Sequence, residues 1–175
     1  MSAVGNVEWR GGTDMYGLDM MIEMLGRIRK TYPRVGLVVC LWGYQDATDA
    51  AYLKALHDRA TSSGCNLAVH FNREVGSLLP VLAASQAFLR PTVTDGDSNS
   101  VREALDLGIH VVASDAVGRP SGVVTFPNRD QRAFEAAVLE VLSGRQVLHE
   151  APNGVGKRTA QYLSEISSWR HAERG

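Results

Sequence analysis

The sequence predicts an α/β fold: a parallel sheet of about six strands joined by right-handed crossovers. Three observations carry that expectation. Short apolar runs alternate with segments of helical periodicity along nearly the whole chain. Residues 35–42 are almost continuously apolar, as in a strand buried on both faces. Glycines at Gly64 and Gly108 close two helical segments just ahead of the next apolar run.

The elements follow in order. A first strand is expected over residues 3–9, then a glycine-rich turn at Gly11, Gly12, Thr13 and Asp14. Leu18, Met21, Ile22, Leu25 and Ile28 recur at helical spacing, and that helix ends before Pro33. The strand at 35–42 is followed by a helix over 46–62 and a short alternating strand over 66–71. A helix is expected over 74–85, with Pro80 a local irregularity. Then come a strand at 87–90, a helix at 99–107, strands at 109–114 and 123–126, and a helix at 131–142. Residues 1–143 thus form one domain. Residues 144–156 read as a linker, and 157–175 as a terminal helix with Tyr162, Ile166 and Trp169 on one side.

Composition narrows the function classes. A chain of 175 residues fits one domain that buries roughly 70% of its unfolded surface. A formal net charge of −1 gives no global footprint for nucleic acid or an anionic membrane. No segment approaches the ~18 apolar residues of a membrane span, and the first residues lack the pattern of a signal peptide. Cys40 and Cys65 lie far apart, match no metal spacing and read as buried thiols of a reduced, cytoplasmic protein. The abrupt start suggests a domain from a longer protein, or a stand-alone half.

In a parallel sheet, ligands bind beyond the carboxyl ends of the strands. Here those ends are the loops at 10–14, 42–46, 72–73, 91–99 and 115–120. At the fourth, Asp95 in the loop and Glu103 on the helix that follows bracket a Gly/Ser/Asn turn that starts this helix. Free backbone N–H groups at a helix start suit phosphate, and flanking carboxylates suit sugar hydroxyls. The same residues also permit a plain reading, in which Asp97 or Ser98 caps the helix and Glu103 is a solvated helix residue.

The stretch Phe88-Leu89-Arg90-Pro91-Thr92, Asp95, seven residues, Glu103-Ala104-Leu105, Gly108 and Val111-Val112-Ala113-Ser114-Asp115 resembles the donor-binding half of GT-B glycosyltransferases. It is most similar to retaining family 4, the glycosyl transferases group 1. Tyr16-Gly17-Leu18-Asp19, Pro33 and Leu37-Val38-Val39 extend the resemblance upstream, over roughly residues 12 to 142. It implies a Rossmann-like, doubly wound sheet with helices on both faces, one half of a GT-B fold. It also implies hexose transfer from a nucleotide-sugar and an acceptor-binding N-terminal domain that this chain lacks. The terminal helix would pack on the body or on that absent domain. By the same resemblance Glu103 holds ribose and Asp95 meets the transferred sugar, as the catalytic pair. Gly96, Asp97 and Ser98 stand where the family's backbone amides meet the sugar and diphosphate, and Gly12, Thr94 and Asn99, in the binding-edge loops, are further donor-site candidates. No metal or other cofactor is implied, and peripheral membrane contact of the whole enzyme stays open.

The departures are informative. Asp95 stands where the family has glutamate, and His110 where it has proline. Tyr16 and Gly11 stand where the family has the lysine and arginine that clamp the diphosphate. Arg10, Arg73, Arg90 and Arg119 lie in or beside the binding-edge loops and are candidate replacements. Asp95-Gly96-Asp97 also reads as Asp-x-Asp, a divalent-cation pair in another glycosyltransferase fold, so that option stays open beside the metal-free one. The 154–159 segment departs from a P-loop in glycine spacing, in Arg158 and in its lack of a preceding strand. The histidines show no ligand spacing, and Trp42 is the tryptophan best placed to stack on a ligand. A non-catalytic nucleotide-sugar module is the second reading, and a generic nucleotide binder of flavodoxin type the third.

Overall fold

The computed structural model describes residues 1–41, 47–66, 68–72 and 76–144. The expected linker and terminal helix, and the candidates Trp42 and Arg73, lie outside the described residues. Six parallel strands form one sheet: β1 (Ser2–Gly5), β4 (Leu37–Leu41), β5 (Val69–Asn72), β6 (Ala87–Arg90), β7 (His110–Ser114) and β8 (Val123–Phe126). Two further strands, β2 (Trp9–Arg10) and β3 (Thr13–Asp14), make a separate hairpin. The helices are α1 (Leu18–Ile28), α2 (Ala47–Ser62), α3 (Leu79–Ala83), α4 (Asn99–Asp106) and α5 (Gln131–Leu142).

Strand order is β5-β4-β1-β6-β7-β8. The chain therefore winds outward from β1 to β4 and β5, returns to pair β6 with β1, and winds out the other way. The reversal leaves a switch point between β1 and β6, where Ser2 pairs with Phe88 and Ala3 with Leu89. Loops diverge there above the carboxyl ends, so this is where such a sheet opens a crevice.

Alternation along the strands builds the two halves of the core. Ala3, Val39, Leu89 and Val112 pack with the apolar faces of α1, α2 and α5. Val4, Cys40, Phe88 and Val111 point the other way, toward α3 and α4. Both cysteines are free and buried. No described helix is long and apolar enough to cross a membrane.

Two elements differ from expectation, each for a local reason. The first strand stops at Gly5, because Gly11 (φ 56°) and Gly12 (φ 81°) fold the following residues into the hairpin. Positive φ at both central residues is what a two-residue hairpin turn demands. The helix expected over 74–85 reduces, among the described residues, to five residues starting beside Pro80, which sits in the first turn. A proline there has no N–H to lose, so it begins the helix instead of perturbing its middle.

Candidate functional site

Two helix starts flank the switch point at the carboxyl edge of the sheet, those of α1 and α4, and they differ. At α1 most of the free amides are already taken by carboxylates. Asp14 is fully buried; its Oδ1 accepts from the N–H groups of Tyr16 (2.9 Å) and Gly17 (3.0 Å), and its Oδ2 from that of Asp19 (3.0 Å). The Tyr52 hydroxyl donates to the same carboxylate at 2.8 Å. Burial pushes the Asp14 carboxyl above the usual range, and these hydrogen bonds oppose it only in part. The Asp19 carboxylate takes the Met20 N–H in turn, at 2.7 Å, so most of the amides at this start already meet a carboxylate.

At α4 the start is open. Ser98 occupies the capping position but makes no side-chain cap bond; its hydroxyl pairs with that of Ser100 at 3.0 Å. Asp97 does not cap either, because both its oxygens face Arg102, at 2.8 and 2.9 Å. That exposed pairing draws the Asp97 carboxyl below, and the Arg102 guanidinium above, their ordinary values. Among the described residues, the N–H groups of Asn99 and Ser100 therefore have no partner. The expected capping alternative is not what the structure shows.

A cleft of about 560 Å³ lies at this start. Val4 and Arg90 line it from the ends of β1 and β6, and Gly76 to Leu79 from the far wall. Asp95, the turn from Asp97 to Ser100, and Glu103 complete it. Asn99 and Glu103 are four apart, one helical turn, so they share a face. The half-buried Glu103 carboxylate has no hydrogen-bond or ion-pair partner among the described residues. Two larger hollows, of about 860 and 730 Å³, open at the opposite edge around Arg34, Val35 and Gly36, away from every strand end that could hold a ligand.

Asp95 lines the cleft, but its carboxylate is engaged by arginines. Its oxygens are engaged by Arg90 (Nε to Oδ2 at 3.1 Å, Nη2 to Oδ1 at 2.9 Å) and by Arg119 (Nη1 to Oδ2 at 2.8 Å). The Gly96 N–H adds a bond to Oδ1 at 3.1 Å. Side-chain exposure is 7% for Asp95, 12% for Arg90 and 3% for Arg119. Burial alone would raise the Asp95 carboxyl; the hydrogen bonds and charges of the two guanidiniums outweigh it and hold the group below its usual value. In this arrangement the Asp95 oxygens accept from protein donors, and the carboxylate faces the two guanidiniums.

The remaining candidates separate cleanly. Asp97, Ser98, Asn99 and Glu103 come together in the cleft, with Arg90. Arg119 is buried, donating from Nε to the Ser114 carbonyl at 2.9 Å, and does not line it. Arg10 is exposed and pairs with Glu8. Gly12 is in the hairpin turn, while Thr94 and Gly96 are exposed beside the cleft without lining it. Trp9 is 47% exposed and its ring leans on Tyr52. Gly76 and Ser77 line the site but were hidden inside the expected helix; the Gly-Ser pair ahead of Leu78 was the available loop signal.

A family model described as glycosyl transferases group 1 matches residues 2–144. The chain belongs to that family. No curated protein matches it. Among solved structures, this group 1 chain is similar to the C-terminal domain of the LpcC glycosyl transferase of Francisella tularensis. The TM-score is 0.70 at 16% identity, over 92% of this chain and 85% of that one. It also resembles a trehalose 6-phosphate synthase of Burkholderia multivorans, with TM-score 0.69 and 17% identity over 97% of this chain and 39% of that one. A third is the Anabaena HepE protein in complex with UDP, at TM-score 0.67 and 15% identity, over 98% of this chain and 48% of that one. The group 1 chain thus spans about two fifths of the synthases' length and has the Rossmann-like fold of a GT-B half.

Proposed function

We propose that the chain is the donor-binding half of a retaining glycosyltransferase that transfers a hexose from a nucleoside diphosphate sugar. The observation that carries this is the open start of α4, with the unpartnered Glu103 carboxylate one turn along it, at the switch point of the sheet. The Asn99 and Ser100 amides receive the diphosphate, where a helix start favours negative charge. Glu103 accepts from the two ribose hydroxyls. As the bond from the anomeric carbon to the diphosphate oxygen breaks, charge grows on that oxygen, and fixed amides stabilise it without reorganising. The HepE complex supports UDP as the nucleotide to try first. A cytoplasmic protein working with an acceptor-binding N-terminal domain completes the reading. So does metal independence, since both aspartates of Asp95-Gly96-Asp97 are turned to guanidiniums and not to a shared vacancy.

A second reading, a nucleotide-sugar binding module without turnover, is favoured by Asp95. The carboxylate that the family resemblance assigns to the sugar is locked in an ion triad. Both readings require nucleotide binding. Calorimetric titration of the full chain with UDP, GDP, ADP and their sugars tests them, with Glu103→Ala weakening the preferred nucleotide roughly 10- to 100-fold. Absence of binding to all of them sinks both. Release of UDP from a bound UDP-sugar by the protein with its acceptor domain separates the first from the second.

A further inference from the structure

We infer that Arg90 is the diphosphate-binding cation of this chain, and that Asp95 acts as its positioning residue. The inference rests on the donor-site reading above and assigns a residue to the phosphate within it. Three acids, Asp95, Asp97 and Glu103, line the cleft, and Arg90 is the only basic residue among the described residues that does. A diphosphate cannot settle beside three carboxylates without nearby positive charge. Asp97 is matched by Arg102. Asp95 is matched twice over, by Arg90 and Arg119, and neither guanidinium contacts another carboxylate among the described residues.

Two guanidiniums and one carboxylate leave one positive charge in excess. A largely buried excess charge is costly unless an anion meets it. Arg119 is the more deeply buried and lies off the cleft, so the excess is presented by Arg90. Donor arithmetic agrees. Of the five guanidinium N–H groups, those on Nε and Nη2 bind Asp95 and one on Nη1 binds the Val4 carbonyl at 3.1 Å. Two are left with no partner among the described residues. The group is also held in place: Asp95 grips one edge, Val4 the other, and the Tyr16 ring lies under it with its centroid 5.4 Å from Cζ. Tyr16 can lie there because Gly5, at the end of β1, has no side chain; a Cβ would come within 3.0 Å of Tyr16. A fork fixed before the ligand arrives loses little freedom on binding.

The test is titration of the full chain with UDP and UMP, each with and without inorganic pyrophosphate as competitor. Arg90→Gln is expected to weaken UDP roughly 10- to 100-fold and to lower the UDP-to-UMP preference, with pyrophosphate no longer competing. Glu103→Ala weakens both nucleotides but keeps pyrophosphate binding. Asp95→Asn gives an intermediate loss for UDP, because the charge remains and its orientation does not. A merely structural Arg90 would leave the UDP-to-UMP ratio of the folded variant at the wild-type value, and that result overturns the inference. Should Arg90→Gln fail to fold, the Nε–H resonance of Arg90 in the wild type takes its place: it moves on adding pyrophosphate, and a resonance that stays still overturns the assignment. A wild-type chain that binds no UDP instead brings down the donor-site reading, and this inference with it.

Discussion

Arg90 holds Asp95 through two parallel contacts, Nε to Oδ2 at 3.1 Å and Nη2 to Oδ1 at 2.9 Å, and Arg119 completes the pairing from the other side at 2.8 Å. The fork-to-carboxylate geometry is the strong form of an ion pair. It ties the end of β6 to the loop after β7, directly behind the cleft.

Removing the shared anion therefore leaves two buried guanidiniums uncompensated. Asp95→Asn is expected to cost about 3–5 kcal/mol at neutral pH, read by urea unfolding. The pH dependence has a definite sign. The folded carboxyl lies below its unfolded value, so its stabilisation is present above the unfolded pKa of about 3.9. It is lost as pH falls through the folded value. Wild type and Asp95→Asn should converge in stability in strong acid, and a constant gap down to that range contradicts the triad.

The same contacts bear on metal dependence. A divalent ion needs carboxylate oxygens free to coordinate it. Asp95 and Asp97 are each bound bidentately by an arginine. Excess EDTA or millimolar Mg²⁺ is expected to leave UDP affinity within about twofold. A Mg²⁺-induced rise of tenfold or more would return the Asp-x-Asp pair to a metal role.

Legibility from sequence followed the range of the interactions involved. Both-face burial gave the sheet, because Leu37 to Leu41 cannot be amphipathic when α2 and α3 cover opposite sides. Spacing gave Asn99 and Glu103, because one helical turn is a local fact. What stayed hidden depended on distance along the chain. Asp95 meets Arg119 across 24 residues, so its carboxylate looked free. Asp97 and Ser98 both carry capping chemistry, and only the pairing of Asp97 with Arg102 and of the Ser98 hydroxyl with Ser100 shows that neither caps. Gly11 and Gly12 signalled a turn, but only their positive φ values reveal the hairpin that ends the first strand.

One close approach sets the geometry of the crevice. Gly17, just before α1, has φ 68°, and a Cβ there would lie 2.4 Å from the Pro91 carbonyl oxygen. Gly17→Ala thus adds a clash with β6's extension to the left-handed penalty, about 2–5 kcal/mol together. Gly108 has a similar φ of 69° with nothing within 4 Å, so Gly108→Ala should cost only about 1–2 kcal/mol. Urea unfolding of the two variants side by side isolates the contact. Equal losses would mean that Pro91 does not constrain α1.

The hydroxyl of Tyr52 gives the last test, because it links α2 to the buried carboxylate that closes the start of α1. Tyr52→Phe removes one bond to an ionised acceptor while keeping the ring against Trp9, and is expected to cost about 1–3 kcal/mol at neutral pH. Burial has raised the Asp14 carboxyl, so here the linkage runs opposite to that of Asp95. Its protonation favours the folded state below the unfolded value, and that contribution is lost as pH rises through the folded one. The Tyr52 bond supports the ionised form, so deleting it raises the Asp14 carboxyl further. The cost of Tyr52→Phe should then shrink as pH falls through the Asp14 transition. Carboxyl-carbon NMR titration of Asp14 in both chains reads the shift directly, and an Asp14 midpoint unchanged by Tyr52→Phe contradicts the link.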